Sequence, residues 1–193
     1  MKEIIVITVT AALSDNAVLA RFFGAEQFLN VSKKPKNALF LGLISAFFMT
    51  LVTALSYPIY NYLLSPLNMQ YLQTLTFVMI ISLLVIAFEL ILRNFFKKSP
   101  LRKFMPMMTA NTAILGVTLL GFSKDLTYLQ AIFSALGSGV GYLLALLIFS
   151  GVRIRLESCD VPKAFKGLPI TLIAAAIVAM SFFGFAGIAD NLF

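Results

Sequence analysis

Residues 105–116 read MPMMTANTAILG, a stretch in which a proline, two threonines and an asparagine interrupt an apolar run. A second interruption, LSDNAVLARFFG, covers residues 13–24. The chain around them has 193 residues, 60% of them hydrophobic, and a mean hydropathy of +0.95. Soluble domains are about 45–50% apolar, so this composition belongs in a membrane. Six stretches supply the ~20 apolar residues with which a helix crosses the hydrocarbon core. They are Ile4–Phe23, Ala38–Tyr57 (with an extension to Leu64 past Pro58), Tyr71–Leu92, Phe104–Phe122, Thr127–Gly151 and Leu168–Ile188. The expected fold is an all-α integral membrane protein, a single membrane domain over residues 1–193.

The two interruptions fall in expected spans 1 and 4. An ionised Asp exposed to lipid at mid-depth costs about 2.5–3.5 kcal/mol on insertion scales, so Asp15 is expected to face protein, water or a ligand. Ser, Asp, Asn and Thr also cap helices by binding the free N–H groups of the next turn. Spans 1 and 4 are therefore expected to break near mid-membrane, where irregular backbone survives only in protein or beside a cavity. Three crossings in the first half reverse the sense of the second, as in an inverted-topology repeat with halves of residues 1–98 and 99–193. DNAVL at 15–19 is loosely similar to NTAIL at 111–115. Asp15, Asn16, Thr109, Asn111 and Thr112 form the candidate mid-membrane centre. Asp15 is read either as a group for cation binding or proton transfer, or as the cap of the second half of span 1. The threonines and Asn111 offer neutral oxygens to a sodium-like ion, and equally to backbone freed by the break.

The net charge of +7 suggests nucleic acid only until the charges are placed. Arg21, Lys33, Lys34 and Lys36 follow span 1; Arg93, Lys97, Lys98, Arg102 and Lys103 follow span 3; Arg153, Arg155, Lys163 and Lys166 follow span 5. Basic residues stay cytoplasmic, so these loops are expected inside a cytoplasmic (inner) membrane, with both termini extracytoplasmic. The clusters suit anionic lipid headgroups, and no nucleic-acid partner is expected. One cysteine, Cys159, and no histidine leave no paired soft ligands for a transition metal. Gly137, Gly139 and Gly141 lack the strand that a dinucleotide loop requires; small residues at four-residue spacing, Gly137, Gly141 and Ala145, suit close helix contact instead. Glu89 and Arg93 have the spacing of a helix ion pair. Tyr57, Tyr60, Tyr62, Tyr71 and Tyr128 are expected near the outer interface, where aromatics concentrate.

DNAVLARFFG (15–24), with Phe28 and NVSKK (30–34), resembles the first-span signature of the RnfA/NqrE family of membrane subunits. MPMMTANTAILGVTLL (105–120) is similar to that family's fourth span, and YLQTLTFVMI (71–80) fits it as well. DVPKAFKGLPITLI (160–173) and FFGFAG (182–187) resemble the RnfA end of the family especially. The resemblance implies a membrane subunit of an Rnf- or Nqr-type complex, which couples electron transfer to sodium or proton translocation. It further implies an oppositely oriented homologous partner, RnfE or NqrD, and other subunits of the complex. In the family the homologous pair holds a two-iron two-sulfur cluster, each member supplying one cysteine from each broken helix. The family motif Gly-Leu-Cys-Pro-Phe is replaced here by Gly24-Ala25-Glu26-Gln27-Phe28, and Thr-Thr-Asn-Cys-Ala by Thr109-Ala110-Asn111-Thr112-Ala113. Glu26 and Thr112 thus stand at the former ligand positions, and Glu26 joins the candidate centre either as an ion or proton ligand or as a partner of Arg21 or of a lysine in the neighbouring loop. No catalytic residue, cofactor or metal is expected on this chain. Three readings follow: a non-catalytic subunit of such a translocase, a cluster-free paralogue that moves a small solute or ion, and a structural membrane partner.

Overall fold

The computed structural model describes residues 2–31, 35–95, 104–124 and 126–185. Lys33, Lys34, Lys97, Lys98, Arg102 and Lys103 lie outside the described residues, as does the end of the sixth expected span. The chain forms α1 (Lys2–Ala12), α2 (Ala25–Val31), α3 (Pro35–Ile59), α4 (Gln73–Phe95), α5 (Met105–Thr109), α6 (Thr112–Ser123), α7 (Tyr128–Glu157) and α8 (Leu168–Phe183). A π-helical turn, Tyr60–Leu64, continues α3 just after Pro58, and a short 3-10 turn, Gln70–Leu72, leads into α4. Among the described residues there is no strand. The all-helical membrane fold expected from composition is what forms.

Among the described residues four stretches are long and apolar enough to cross a bilayer: Pro35–Leu64, Gln70–Asn94, Met105–Ser123 and Tyr128–Glu157. The first expected span breaks at its polar interruption as expected, but its second half does not resume as a helix. Ile4–Phe23 is helical only as far as Ala12, and residues 13–24 run as turns. An 11-residue helix rises about 16 Å, half of a ~30 Å hydrocarbon core. Hydropathy registers the apolar residues on either side of a turn and not the turn itself. The last helix, α8, has 16 residues and is shorter than the expected Leu168–Ile188 within the described range.

Glycine sets how closely the helices pack. At the centre α3 lies against α7: Gly42 of α3 receives Leu143, and Gly139 of α7 receives Ala46, whose Cα would lie 2.6 Å from any Cβ placed at 139. On another face of α7, Gly137 meets the Thr8 backbone and Gly141 meets Ala12, which seats α1. In lipid, where apolar burial drives little association, small residues let backbones approach and gain dispersion contact. The four-residue glycine spacing in α7 therefore serves packing. Thr127 and Gln130 form a capping box that starts α7, with the Thr127 N–H donating to Gln130 Oε1 at 3.0 Å. α4 stands at the periphery, joined to α3 through Phe47, Phe48 and Phe88. Tyr57, Tyr60 and Tyr128 gather with Phe122, while Tyr62 and Tyr71 are exposed. Glu89 and Arg93 make no ion pair, contrary to their helical spacing.

Candidate functional site

The first break is organised by Asn16, which is fully buried. Its Oδ1 accepts from the N–H groups of Val18 (3.0 Å) and Leu19 (3.3 Å). Its Nδ2 donates to the carbonyls of Ala12 (3.0 Å) and Gly141 (2.9 Å). An amide side chain offers two donors and two acceptor lone pairs, and all four are used. Asn16 thereby closes α1, starts the turn that follows and ties both to α7. Gly141 leaves room for this amide: a Cβ there would stand 2.9 Å from Nδ2.

Asp15 has a different role from the capping one considered for it. Arg21 Nε donates to Oδ1 at 2.7 Å and Lys124 Nζ to Oδ2 at 2.7 Å. The cap belongs to Asn16, because Asp15 points away to meet two cations. Arg21 is therefore taken by Asp15, and no ion pair between Arg21 and Glu26 forms. There is a topological consequence. Arg21 and Lys124 converge on one carboxylate; Lys124, between expected spans 4 and 5, is expected extracytoplasmic, so Arg21 lies beside it and not with the basic loop after span 1 where the charge pattern had put it. The chain turns back on itself between residues 13 and 24, and a linear count of charges misses that.

At the second break α5 ends at Thr109, and Asn111 caps α6 with its Oδ1 accepting from the Ala113 N–H at 2.9 Å. Its Nδ2 donates to Ser45 Oγ of α3 at 3.3 Å. Both side chains are buried. The Tyr142 hydroxyl faces Asn111 and Ser45 without reaching hydrogen-bond geometry with any group. The two breaks are thus tied crosswise. Asn16 of the first binds α7, and Asn111 of the second binds α3, the two helices that pack together at the centre.

The breaks also touch directly. The Gly24 N–H donates to Thr112 Oγ1 at 2.9 Å. Gly24 has φ +70°, and a Cβ there would meet Ala113 Cβ at 2.9 Å and Tyr142 Cε2 at 3.0 Å. Left-handed backbone and close approach both call for glycine at this point. Beside it the Phe23 ring lies on Gly116, and Gln27 Nε2 donates to the Met107 carbonyl. Of the six candidate residues, Asn16, Asn111 and Thr112 belong to this junction. Asp15 sits in its own ion-pair cluster; Thr109 and Glu26 are exposed, Glu26 in the first turn of α2. The residues not singled out from sequence are Gly24, Gln27, Ser45, Lys124 and Tyr142. Only Gly24 had a local signal, a glycine ending the interrupted segment.

A two-iron two-sulfur cluster needs thiolate donors. At the two positions where the resemblance puts cluster ligands stand the Glu26 carboxylate, exposed outside the junction, and the Thr112 hydroxyl within it, which already accepts a hydrogen bond from Gly24. Cys159 lies beyond the end of α7, its thiol on the Arg155 carbonyl. Among the described residues no cluster of three or more His, Cys, Asp or Glu could hold a metal ion. The donor set does not fit the group.

A family profile described as Rnf-Nqr subunit, membrane protein, matches residues 4–189. The chain is 40% identical over 193 residues to the A component of the ion-translocating oxidoreductase complex of Syntrophotalea carbinolica, covering 97% of this chain and 98% of that protein. It is 39% identical over 189 residues to the A component of the Na(+)-translocating ferredoxin:NAD(+) oxidoreductase complex of Acetobacterium woodii, covering 95% and 97%. The corresponding component from Aeromonas hydrophila is 38% identical over 193 residues, with 97% and 98% covered.

Proposed function

The chain belongs to the Rnf-Nqr family of membrane subunits, and from that premise we propose that it serves an ion-translocating complex without itself ligating an iron–sulfur cluster. It is a multi-pass membrane subunit of an ion-translocating electron-transport oxidoreductase assembly. The observation that carries the cluster-free part is the Gly24–Thr112 hydrogen bond. Where a thiolate would have to point at iron, a hydroxyl closes the junction between two chain breaks, and the other ligand position holds an exposed carboxylate. The role of the junction is to hold α1, α3, α6 and α7 in one arrangement. The electron path runs through partners, and sodium or protons are the transported ion.

The partner at this face is an oppositely oriented homologous subunit of RnfE or NqrD type. An open apolar groove of about 330 Å³ along α6, lined by Phe23, Thr112, Leu115, Leu119 and Leu120, supports that reading, since the former ligand position Thr112 opens onto an outward surface there. The membrane is the cytoplasmic one, with both termini extracytoplasmic. Arg153, Arg155, Lys163 and Lys166, which still group at one end of the helix bundle, support that orientation.

Complementation tests the proposal. Membrane vesicles from cells lacking this chain should lose electron-transfer-driven ion uptake, and both the wild-type chain and E26A, whose side chain is exposed outside the junction, should restore it. Uptake that persists without the chain would remove the subunit role. Restoration by the wild type alone would overturn the cluster-free reading.

A further inference from the structure

A cavity of about 430 Å³ opens between the end of α7 and the start of α8, away from the junction. One part of its wall is charged: Arg153 and Lys166 bring positive charge, and Glu157 offsets part of it. The other part is apolar, formed by Leu156, Val161 and Ile170. Around the mouth the segment 153–166 carries four cations against two carboxylates. Arg153 donates to the Leu29 carbonyl near the end of α2, which fixes its guanidinium at the wall. Lys166 is exposed and immediately precedes the Gly167 turn, whose φ of +92° brings the chain into α8.

The height of this cavity follows from helix lengths. α7 has 30 residues and a length of about 45 Å, longer than the ~30 Å hydrocarbon core. Its charged last turns therefore emerge at the boundary, and α8 enters there with Leu168 64% exposed and Phe165 47% exposed at the rim. A recess with cations on one wall, apolar side chains on the other and an apolar rim matches one ligand chemistry. That is a phosphodiester headgroup with its glycerol and upper acyl carbons alongside. Basic pockets between helices at a membrane boundary take anionic headgroups in this way.

We propose that the α7–α8 cavity is a binding site for an anionic phospholipid, with Lys166 and Arg153 facing the phosphate and Leu156, Val161 and Ile170 facing the glycerol and chain. The site requires the chain to span a membrane, and requires neither an orientation nor any statement about the redox role. The same phosphate chemistry could reach the cavity from a soluble phosphate, so the test separates the two sources.

The purified full chain in detergent is incubated with phosphatidylglycerol, with phosphatidylcholine of the same chains, or with phosphatidylglycerol plus millimolar inorganic phosphate, and retained lipid is counted by native mass spectrometry. Phosphatidylglycerol is expected to be retained about five-fold more than phosphatidylcholine, as one surface cation's worth of attraction provides. K166Q should remove the preference and K166R should keep it, and because Lys166 is exposed neither change disturbs packing. Equal retention of the two lipids, or a preference that survives K166Q, overturns the site. Displacement of phosphatidylglycerol by inorganic phosphate overturns the lipid assignment in favour of a soluble anion.

Discussion

The backbone N–H of Gly24 donates to the Thr112 hydroxyl across 2.9 Å, joining two interrupted segments 88 residues apart in sequence. Through this contact the turn after α1 and the start of α6 become one unit. Each segment is also anchored by an asparagine to the helix pair at the centre of the fold, Asn16 to α7 and Asn111 to α3. The consequences can be measured residue by residue.

Gly24→Ala puts a Cβ at positive φ into contact with Ala113 and Tyr142. It is expected to cost about 1–3 kcal/mol, from strained backbone and overpacking together. Thermal unfolding of the purified chain in detergent should show a clear loss. Glu26→Ala, two residues on and exposed, should stay within about 0.5 kcal/mol of wild type.

Neighbouring residues with opposite surroundings should separate sharply. Asn16→Ala strips partners from two N–H groups and two carbonyls in a buried place, at an expected cost of about 1–3 kcal/mol or more. Asp15→Asn removes the charge from a partly exposed pair of ion contacts, and should cost less than about 1 kcal/mol. Its effect should shrink further as salt is raised. Denaturation of the two variants at low and high ionic strength checks the order.

These residues also show how far sequence reading reached. The apolar runs located the three long helices, α3, α4 and α7, because a bilayer demands length and hydropathy that side-chain composition reports directly. Asn111 was legible as a cap because capping is local, set by a side chain and the backbone two residues on. Asp15 was not: a carboxylate beside Asn16 has the same local chemistry, and what decides between them is Lys124, distant in sequence. The end of α1 near Asn16 was legible, whereas the absence of a second half-helix after it was hidden for a related reason. Ser14, Asp15 and Asn16 announced an interruption, but Ala17 to Phe23 is apolar enough to resume a helix, and here it runs on as turns, with Asn16 bound to the Gly141 carbonyl. Ser45 and Tyr142 gave no signal at all, since a lone hydroxyl in an apolar helix acquires meaning only from the neighbour across the interface.

Gly141→Val tests that interface. A branched side chain there runs into the Ala12 backbone and the Asn16 amide, so α1 must move away from α7. The expected loss is about 1–3 kcal/mol or more. Hydrogen exchange should show faster exchange confined at first to residues of α1 and the following turn, with α3 and α7 protected as in wild type.

The most direct measurement of the central claim is the iron and acid-labile sulfide content of the intact complex, with its paramagnetic spectrum, for wild type and for E26A/T112A carrying a full set of subunits. The two preparations should match in iron, sulfide and signal, because neither Glu26 nor Thr112 holds iron. Loss of two irons and two sulfides per copy in the variant, with disappearance of a two-iron signal, would contradict that claim.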